Sequence, residues 1–147
     1  MTERNTAVPA SYLILERDGK ILLARRFQTG YQDGNYGLPA GHVDAGELPM
    51  DAMVREAKEE IGIDLTSDDL AFVHVGYDLP HDATGNRVDF YFRAKKWNGE
   101  PVIMEPHKCD ELLWTPLDAL PENIIPKVRR ALFYYRDGCV FAEMGSD

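Results

Sequence analysis

Residues 41–63 carry most of the information in this chain, and they read GHVDAGELPMDAMVREAKEEIGI. Pro49 suits the first turn of a helix, where its missing N–H costs nothing. Apolar residues then recur at intervals of three and four, as an amphipathic helix requires, at Met53, Val54, Ala57 and Ile61. Gly62 stands where a helix often ends. The pattern therefore predicts a helix from about Pro49 to Ile61.

Three glutamates of this segment, Glu56, Glu59 and Glu60, share one face of the predicted helix, because residues three and four apart are neighbours on a helix surface. Carboxylates that converge in this way repel one another unless a cation lies between them. Hard divalent cations prefer oxygen ligands, and the chain has no Cys or His cluster with zinc spacing. The residues therefore indicate Mg²⁺ or Mn²⁺. A solvated acidic helix face is the alternative interpretation of the same glutamates.

The same stretch resembles the Nudix box, G-x5-E-x7-R-E-U-x-E-E-x-G-U, where U is an apolar residue. All seven fixed positions match, at Gly41, Glu47, Arg55, Glu56, Glu59, Glu60 and Gly62. The chain is thereby identified as similar to the Nudix hydrolases, which cleave a diphosphate linked to an organic group. The resemblance implies an α/β fold, the Nudix-type α/β/α sandwich with a mixed central sheet, in a single domain over residues 1–147.

The resemblance also implies roles for individual residues. The metal ligands would be Glu56, Glu59, Glu60 and the backbone carbonyl of Ala40, just before the box. Glu56 or Glu59 would take the proton of the attacking water, and the sequence does not choose between them. Glu47 and Arg55 would support the catalytic group, since an arginine can hold a carboxylate with two hydrogen bonds. Many family members have glycine where this chain has Ala40, and the extra methyl group is expected to be tolerated.

A second segment, residues 99–114, reads GEPVIMEPHKCDELLW and resembles the corresponding part of MutT-like nucleoside-triphosphate pyrophosphatases, particularly the human MutT-homologue group. This implies hydrolysis of (deoxy)nucleoside triphosphates, including oxidised ones, to a monophosphate and pyrophosphate. One alternative is hydrolysis of a nucleoside diphosphate linked to another group, such as ADP-ribose, NADH or a nucleotide sugar. The other is a Nudix-fold module that binds a metabolite without catalysis.

Residues outside the box are candidates for contacts with the rest of the substrate. Arg25, at the end of a predicted strand, and His42, next to Gly41, are predicted to bind substrate. Glu105 or Glu111 could add a metal ligand from a loop. Stacking on a base is possible for aromatic residues, and the candidates are Phe27, Tyr36 and Trp114.

The net charge of the chain limits the classes of substrate and binding partner that it can have. The formal net charge is −9, which argues against a nucleic-acid polymer as substrate, because a polyanion requires a basic surface. A small nucleotide remains compatible with this charge.

No apolar run approaches the roughly twenty residues of a membrane span, and the first nine residues lack a signal-peptide core. Two isolated cysteines form no disulfide framework. The expectation is a cytoplasmic protein with no membrane partner, and a homodimer is the candidate assembly.

The remaining sequence predicts mainly strands. Asp18-Gly19 is a turn signal that predicts a hairpin between residues 10–17 and 20–25. Further strands are expected over residues 70–77, 88–97 and 111–114, with a loop over 78–87 that includes His81. A second helix is expected over residues 124–136, preceded by a helical turn at 117–120.

Overall fold

Two helices enclose two β-sheets in the computed structural model, which describes residues 3–80 and 85–145. The first half comprises β1 Ala7–Ile14, β2 Glu16–Arg17, β3 Lys20–Arg26, β4 Tyr36–Gly37, β5 Ala40–His42 and α1 Pro49–Ile61. The second half comprises β6 Leu70–Asp78, β7 Asn86–Ala94, β8 Cys109–Thr115, α2 Pro126–Arg136 and β9 Phe141–Met144. Short 3₁₀ turns cover Ser67–Asp69 and Leu117–Ala119. The predicted α/β/α sandwich with a mixed sheet is confirmed.

The first sheet has the strand order β5-β1-β7-β6-β9 and mixes parallel with antiparallel pairs. Strand β1 runs parallel to β7 and antiparallel to β5, so that it lies between the box strand and the middle of the sheet. In this register Tyr12 is opposite Ala40, and Ala10 is opposite both His42 and Asp89. Since paired residues share a face of a sheet, these side chains all point to one side, the side covered by α2.

The second sheet is built on β3, which pairs antiparallel with β2, β4 and β8. The predicted turn is present, and Asp18 and Gly19 both have positive φ angles, 53° and 75°, as a two-residue primed turn requires. The predicted hairpin is wrong in one respect. Residues 10–17 do not form one strand, because the chain changes sheets at the buried Leu15. Within residues 10–17, only the part that forms β2 pairs with β3, whereas the part that belongs to β1 lies in the first sheet.

Helix α1 has the predicted boundaries. Pro49 occupies its first turn, and Gly62 ends it in the left-handed conformation with φ 71°. The amide of Gly62 donates to Lys58 O and that of Ile63 to Ala57 O, which satisfies carbonyls at the helix end. The buried face carries Ala52, Met53, Ala57 and Ile61. It packs into one core with Leu13, Leu22 and Phe92.

Helix α2 covers the opposite side. A second core joins its Val128, Ala131 and Leu132 to Ile14, Tyr36 and Tyr91. The helix begins at Pro126 rather than at residue 124, because the amide of Ile125 donates to Tyr36 O and Ile124 forms a bridge to the same residue. The two residues before the proline therefore pair with β4 instead of joining the helix.

Several other boundaries differ from the predictions. The strands β6, β7 and β8 are present, with ends shifted by up to three residues. The loop between β6 and β7 is shorter than predicted, and His81 lies outside the described residues. Strands β5 and β9 were not predicted. Among the helices described, none has both the length and the apolarity that crossing a membrane would require.

Candidate active site

The site is built where β5 passes directly over α1. A Cβ placed on Gly41 would overlap the carboxyl group of Glu56. A side chain at position 41 would therefore displace the Glu56 carboxyl group from its present position. On the same side of the site, the amide of Ala40 donates to Glu60 Oε2 at 3.3 Å. The close approach places the carbonyl-bearing strand beside the glutamates of the helix.

Arg55 holds the acidic residues together. Its Nε and Nη2 donate to the two oxygens of Glu47 at 2.9 and 3.0 Å, and its Nη1 donates to Glu56 at 2.7 Å and Glu59 at 3.3 Å. Nη2 also donates to the carbonyl of His42 at 3.1 Å. The guanidinium, mainly through its hydrogen bond, together with the amide of Asp44, lowers the pKa of Glu47 to about 2. The supporting pair predicted from the motif is therefore present.

Glu60 has the most perturbed carboxyl group of the site. Burial, followed by repulsion from Glu56 and a hydrogen bond with it, raises the pKa of Glu60 well above its ordinary value. Glu105, from the loop that follows β7, adds to this repulsion. Two carboxyl groups this close can be charged together only if a cation compensates them.

The residues of the site fit a divalent metal ion. The predicted donors, which are carboxylate oxygens of Glu56, Glu59 and Glu60 and the carbonyl of Ala40, have the oxygen chemistry that Mg²⁺ and Mn²⁺ prefer. In the described parts of the chain, no group of three or more His, Cys, Asp or Glu side chains is arranged so that it could hold a metal ion. Arg55 and the amide of Ala40 hold oxygens of these glutamates, so these contacts would change when a metal binds.

A cavity of about 230 Å³ opens beside the glutamates and extends between the two sheets. Glu60 enters it from α1, and Lys127 enters it from α2. Its charged lining is Arg25, Arg26, Lys108 and Lys127 against Glu60 and Glu105. Cationic side chains thus outnumber carboxylates four to two here, although the whole chain has a net charge of −9. Three of these four cations already have carboxylate partners, so a ligand would meet less positive charge than the count alone suggests.

The part of the cavity near α2 has a different character. Lys127 Nζ lies 2.9 Å from Asp89 Oδ2, and the side chain of Asp89 is only 3% exposed. Tyr12 lies beside this pair and stacks on Tyr91, with ring centroids 4.7 Å apart. Burial, reinforced by Asp89 and opposed by Lys127, raises the pKa of Tyr12 to about 12, so the phenol remains protonated at neutral pH.

Of the residues predicted to bind substrate or an additional metal ion, some line the cavity and others are held in ion pairs. His42 lines it and is exposed, with Nε2 3.5 Å from Arg87. Arg25 also lines it, but its guanidinium pairs with Asp110 at 2.7 Å and Glu111 at 3.2 Å. Of the two additional metal-ligand candidates, Glu105 lines the cavity, whereas Glu111 is held by Arg25.

The aromatic residues proposed for base stacking do not line the cavity. Trp114 stacks on Trp97, and Arg17 lies over its ring. Tyr36 is buried in the second core, and Phe27 is not among the lining residues. Tyr12, Tyr31 and Lys127, which do line the cavity, were missed because no motif marks them. One signal was available for Lys127, because a cation in the first turn of a helix opposes the helix dipole and needs a partner.

Comparison with known proteins agrees with this geometry. The NUDIX domain family matches residues 5–135. The CTP pyrophosphohydrolase of Escherichia coli is 30% identical over 115 residues, covering 77% of this chain and 79% of the relative. The RNA pyrophosphohydrolase of Agrobacterium fabrum is 29% identical, covering 84% and 85%. A NAD-capped RNA hydrolase of Pseudomonas putida is also 29% identical, but the chain spans only 46% of its length.

Among solved structures, a MutT NUDIX hydrolase from Burkholderia pseudomallei superimposes with a TM-score of 0.79 at 31% identity. The superposition covers 88% of this chain and 98% of that one. The match of the family over residues 5–135 includes the whole box and both sheets except β9. The chain therefore belongs to the Nudix family and is a hydrolase of phosphoric anhydride bonds.

Proposed function

We propose that this protein is a Mg²⁺- or Mn²⁺-dependent pyrophosphohydrolase that converts (deoxy)nucleoside triphosphates, oxidised ones included, to a monophosphate and pyrophosphate. The observation that carries the proposal is the single cavity shared by Glu60 of the box and by the Tyr12 and Lys127 region. A triphosphate would lie at the glutamate end and its nucleoside would extend towards α2. The name of the E. coli relative, CTP pyrophosphohydrolase, supports the same class of substrate, and that of the A. fabrum relative, RNA pyrophosphohydrolase, supports the same type of reaction.

Glu56, Glu59, Glu60 and the carbonyl of Ala40 would hold the metal. When bound, a divalent ion neutralises phosphate charge and makes a water molecule more acidic. Arg55 fixes the orientation of Glu56 and Glu59 through one nitrogen. Glu47 in turn fixes Arg55 with two hydrogen bonds. This support is what a precise catalytic group requires.

Glu59 is the better candidate for the general base. Its side chain is 50% exposed and its contact with Arg55 is the longer one, whereas Glu56 is 14% exposed and engaged by both Arg55 and Glu60. In the reaction, a water oxygen forms a bond to phosphorus while the bond from phosphorus to the bridging oxygen breaks. The water proton passes to Glu59, and the phosphate-bearing leaving group departs with the electron pair of the broken bond, so that a monophosphate and pyrophosphate result.

The test is a panel of substrates offered to the purified protein with Mg²⁺ or Mn²⁺. The panel contains common and oxidised nucleoside triphosphates, ADP-ribose, NADH and nucleotide sugars, with products separated by chromatography. Monophosphate plus pyrophosphate from a triphosphate is the expected result. Two monophosphates from the linked diphosphates alone would replace the proposal with the alternative class, and no turnover of any compound would favour a binding module.

The variants Glu59→Gln and Glu60→Gln serve as controls in this panel. Each removes a charge and keeps the size of the side chain, so the fold should persist while turnover falls by orders of magnitude. Circular dichroism checks the fold. Near-normal activity of both variants would contradict the assignment of these glutamates to the metal site.

A further inference from the structure

Lys127 is held in an unusual position. It lies in the first turn of α2, where the helix dipole disfavours a cation. Asp89 compensates it at 2.9 Å from β7, and Asp78 lies at 4.0 Å. Burial opposes the charged form of Lys127, but its acidic and phenolic neighbours, with Asp89 the one that is ionised at neutral pH, raise its pKa overall, so the ammonium group remains charged. The contacts fix one cation at a defined place in the cavity wall.

The surroundings of Lys127 are suited to a flat ring rather than to a phosphate. Apolar and aromatic residues line the same cavity, among them Ala10, Tyr12, Leu38, Ile125 and Val128. Asp89 neutralises the ammonium group, so the pair offers little net charge to a polyanion. The pair still offers hydrogen-bond donors, because an ammonium group has three N–H bonds and no acceptor, and Asp89 accepts from one of them.

We propose that Lys127, held by Asp89, donates a hydrogen bond to an exocyclic carbonyl oxygen of the nucleobase and thereby favours guanine, cytosine, uracil and thymine nucleotides over adenine nucleotides. Adenine is the only common base without such an oxygen and presents ring nitrogens instead. Tyr12 supplies a ring beside the base. This inference rests on the proposed function, since it assigns the base end of the same substrate.

The discriminating variant is Lys127→Met, which keeps the length of the side chain and removes the donors. Wild-type protein should prefer GTP or CTP to ATP in kcat/KM, and the variant should lose roughly tenfold to a hundredfold of this preference. The loss should appear mainly in KM for the carbonyl-bearing bases, with the rate on ATP little changed. Lys127→Arg, which retains donors, should keep part of the preference.

Two controls separate recognition from folding. Lys96→Met removes an exposed lysine after β7 and should change neither rate nor preference. Because Lys127→Met leaves Asp89 without its partner, the double variant Lys127→Met with Asp89→Asn removes both charges and should restore stability without restoring the preference. Thermal unfolding of each variant provides the comparison.

A uniform loss of activity on all bases in Lys127→Met would overturn the inference and assign Lys127 to a phosphate or ribose. If the wild-type protein hydrolyses no triphosphate, the proposed function fails, and binding of GMP, CMP and AMP measured by calorimetry then decides the inference separately. Tighter binding of GMP or CMP than of AMP, lost in Lys127→Met, would support it. Equal binding of the three monophosphates would overturn it.

Discussion

At position 41, hydrogen is the largest side chain that the backbone can carry, because the carboxyl group of Glu56 occupies the space of a Cβ. The contact is with the far end of a flexible side chain, so Glu56 rather than the backbone would move aside, and the site would change with it. Overpacking of this kind costs about 1–3 kcal/mol in well-packed proteins. The same displacement would move Glu56 relative to Arg55 and Glu60, which are its partners.

Gly41→Ala should therefore reduce kcat/KM by roughly a hundredfold, since small displacements of catalytic groups cost this much. The stabilisation of the protein by Mg²⁺ in thermal unfolding should shrink as well. Gly76→Ala is a matched control in β6, because a Cβ there meets nothing closer than His74 Nε2 at 4.0 Å. Full activity of Gly41→Ala would show that Glu56 is free to move aside.

Among the elements, α1 is joined to the segment before it through Arg55, and Glu47 is its closest ionic partner there. Glu47 precedes the helix, Arg55 lies in its middle, and the two are joined by two hydrogen bonds. The pKa of Glu47 is lowered from 4.5 to about 2 by this contact and by the amide of Asp44. A carboxyl with a lowered pKa stabilises the folded state above pH 4.5, and this contribution is lost as the pH falls towards 2.

Glu47→Gln should therefore lower the free energy of unfolding at neutral pH and flatten its dependence on pH between 4.5 and 2. Urea unfolding at a series of pH values measures both effects. Glu143→Gln, an exposed position on β9, should leave the slope unchanged. If the free energy of unfolding of Glu47→Gln changed with pH between 4.5 and 2 as steeply as that of the wild-type protein, the ion-pair assignment would be contradicted.

The elements also show what sequence alone could provide. Helix α1 was predictable to the residue because proline and glycine mark its ends and the apolar period lies between them. The change of sheets at Leu15 was not, since an apolar run of strand residues looks the same whether it serves one sheet or two. Strand β9 was missed because two of its four residues, Phe141 and Glu143, are exposed, so the core does not determine its pattern. Lys127 and Asp89 are 38 positions apart, and only their tertiary contact identifies the pair.

At the scale of the whole molecule, charge is distributed unevenly. The chain carries a net charge of −9, but the cavity is lined by more cations than carboxylates. A short anion can occupy the cavity without meeting the acidic exterior, whereas a long one must also lie along it. The length of the anion should therefore affect its binding, even when the reacting phosphates are the same.

A 5′-triphosphorylated RNA of about ten nucleotides should be hydrolysed at least roughly tenfold less efficiently than a free nucleoside triphosphate at low ionic strength. The difference should narrow as salt screens the exterior. Measurement of kcat/KM for both substrates at several salt concentrations tests this. Equal efficiencies would instead place the protein with relatives such as the RNA pyrophosphohydrolase of A. fabrum.

The parallel pairing of β1 with β7 has a consequence for how the protein acquires its site. Ala7 lies opposite Asn86, so the neighbour that completes β1 is about eighty residues further along the chain. Strand β5, with Ala40 and Gly41, is held at the edge of the first sheet by β1 alone. Loops of this length close slowly, and contacts between distant residues delay folding. During synthesis, the box therefore leaves the ribosome before the site can form. Strand β5 is placed beside the glutamates by β1, and β1 is completed only when β7 has emerged and paired with it.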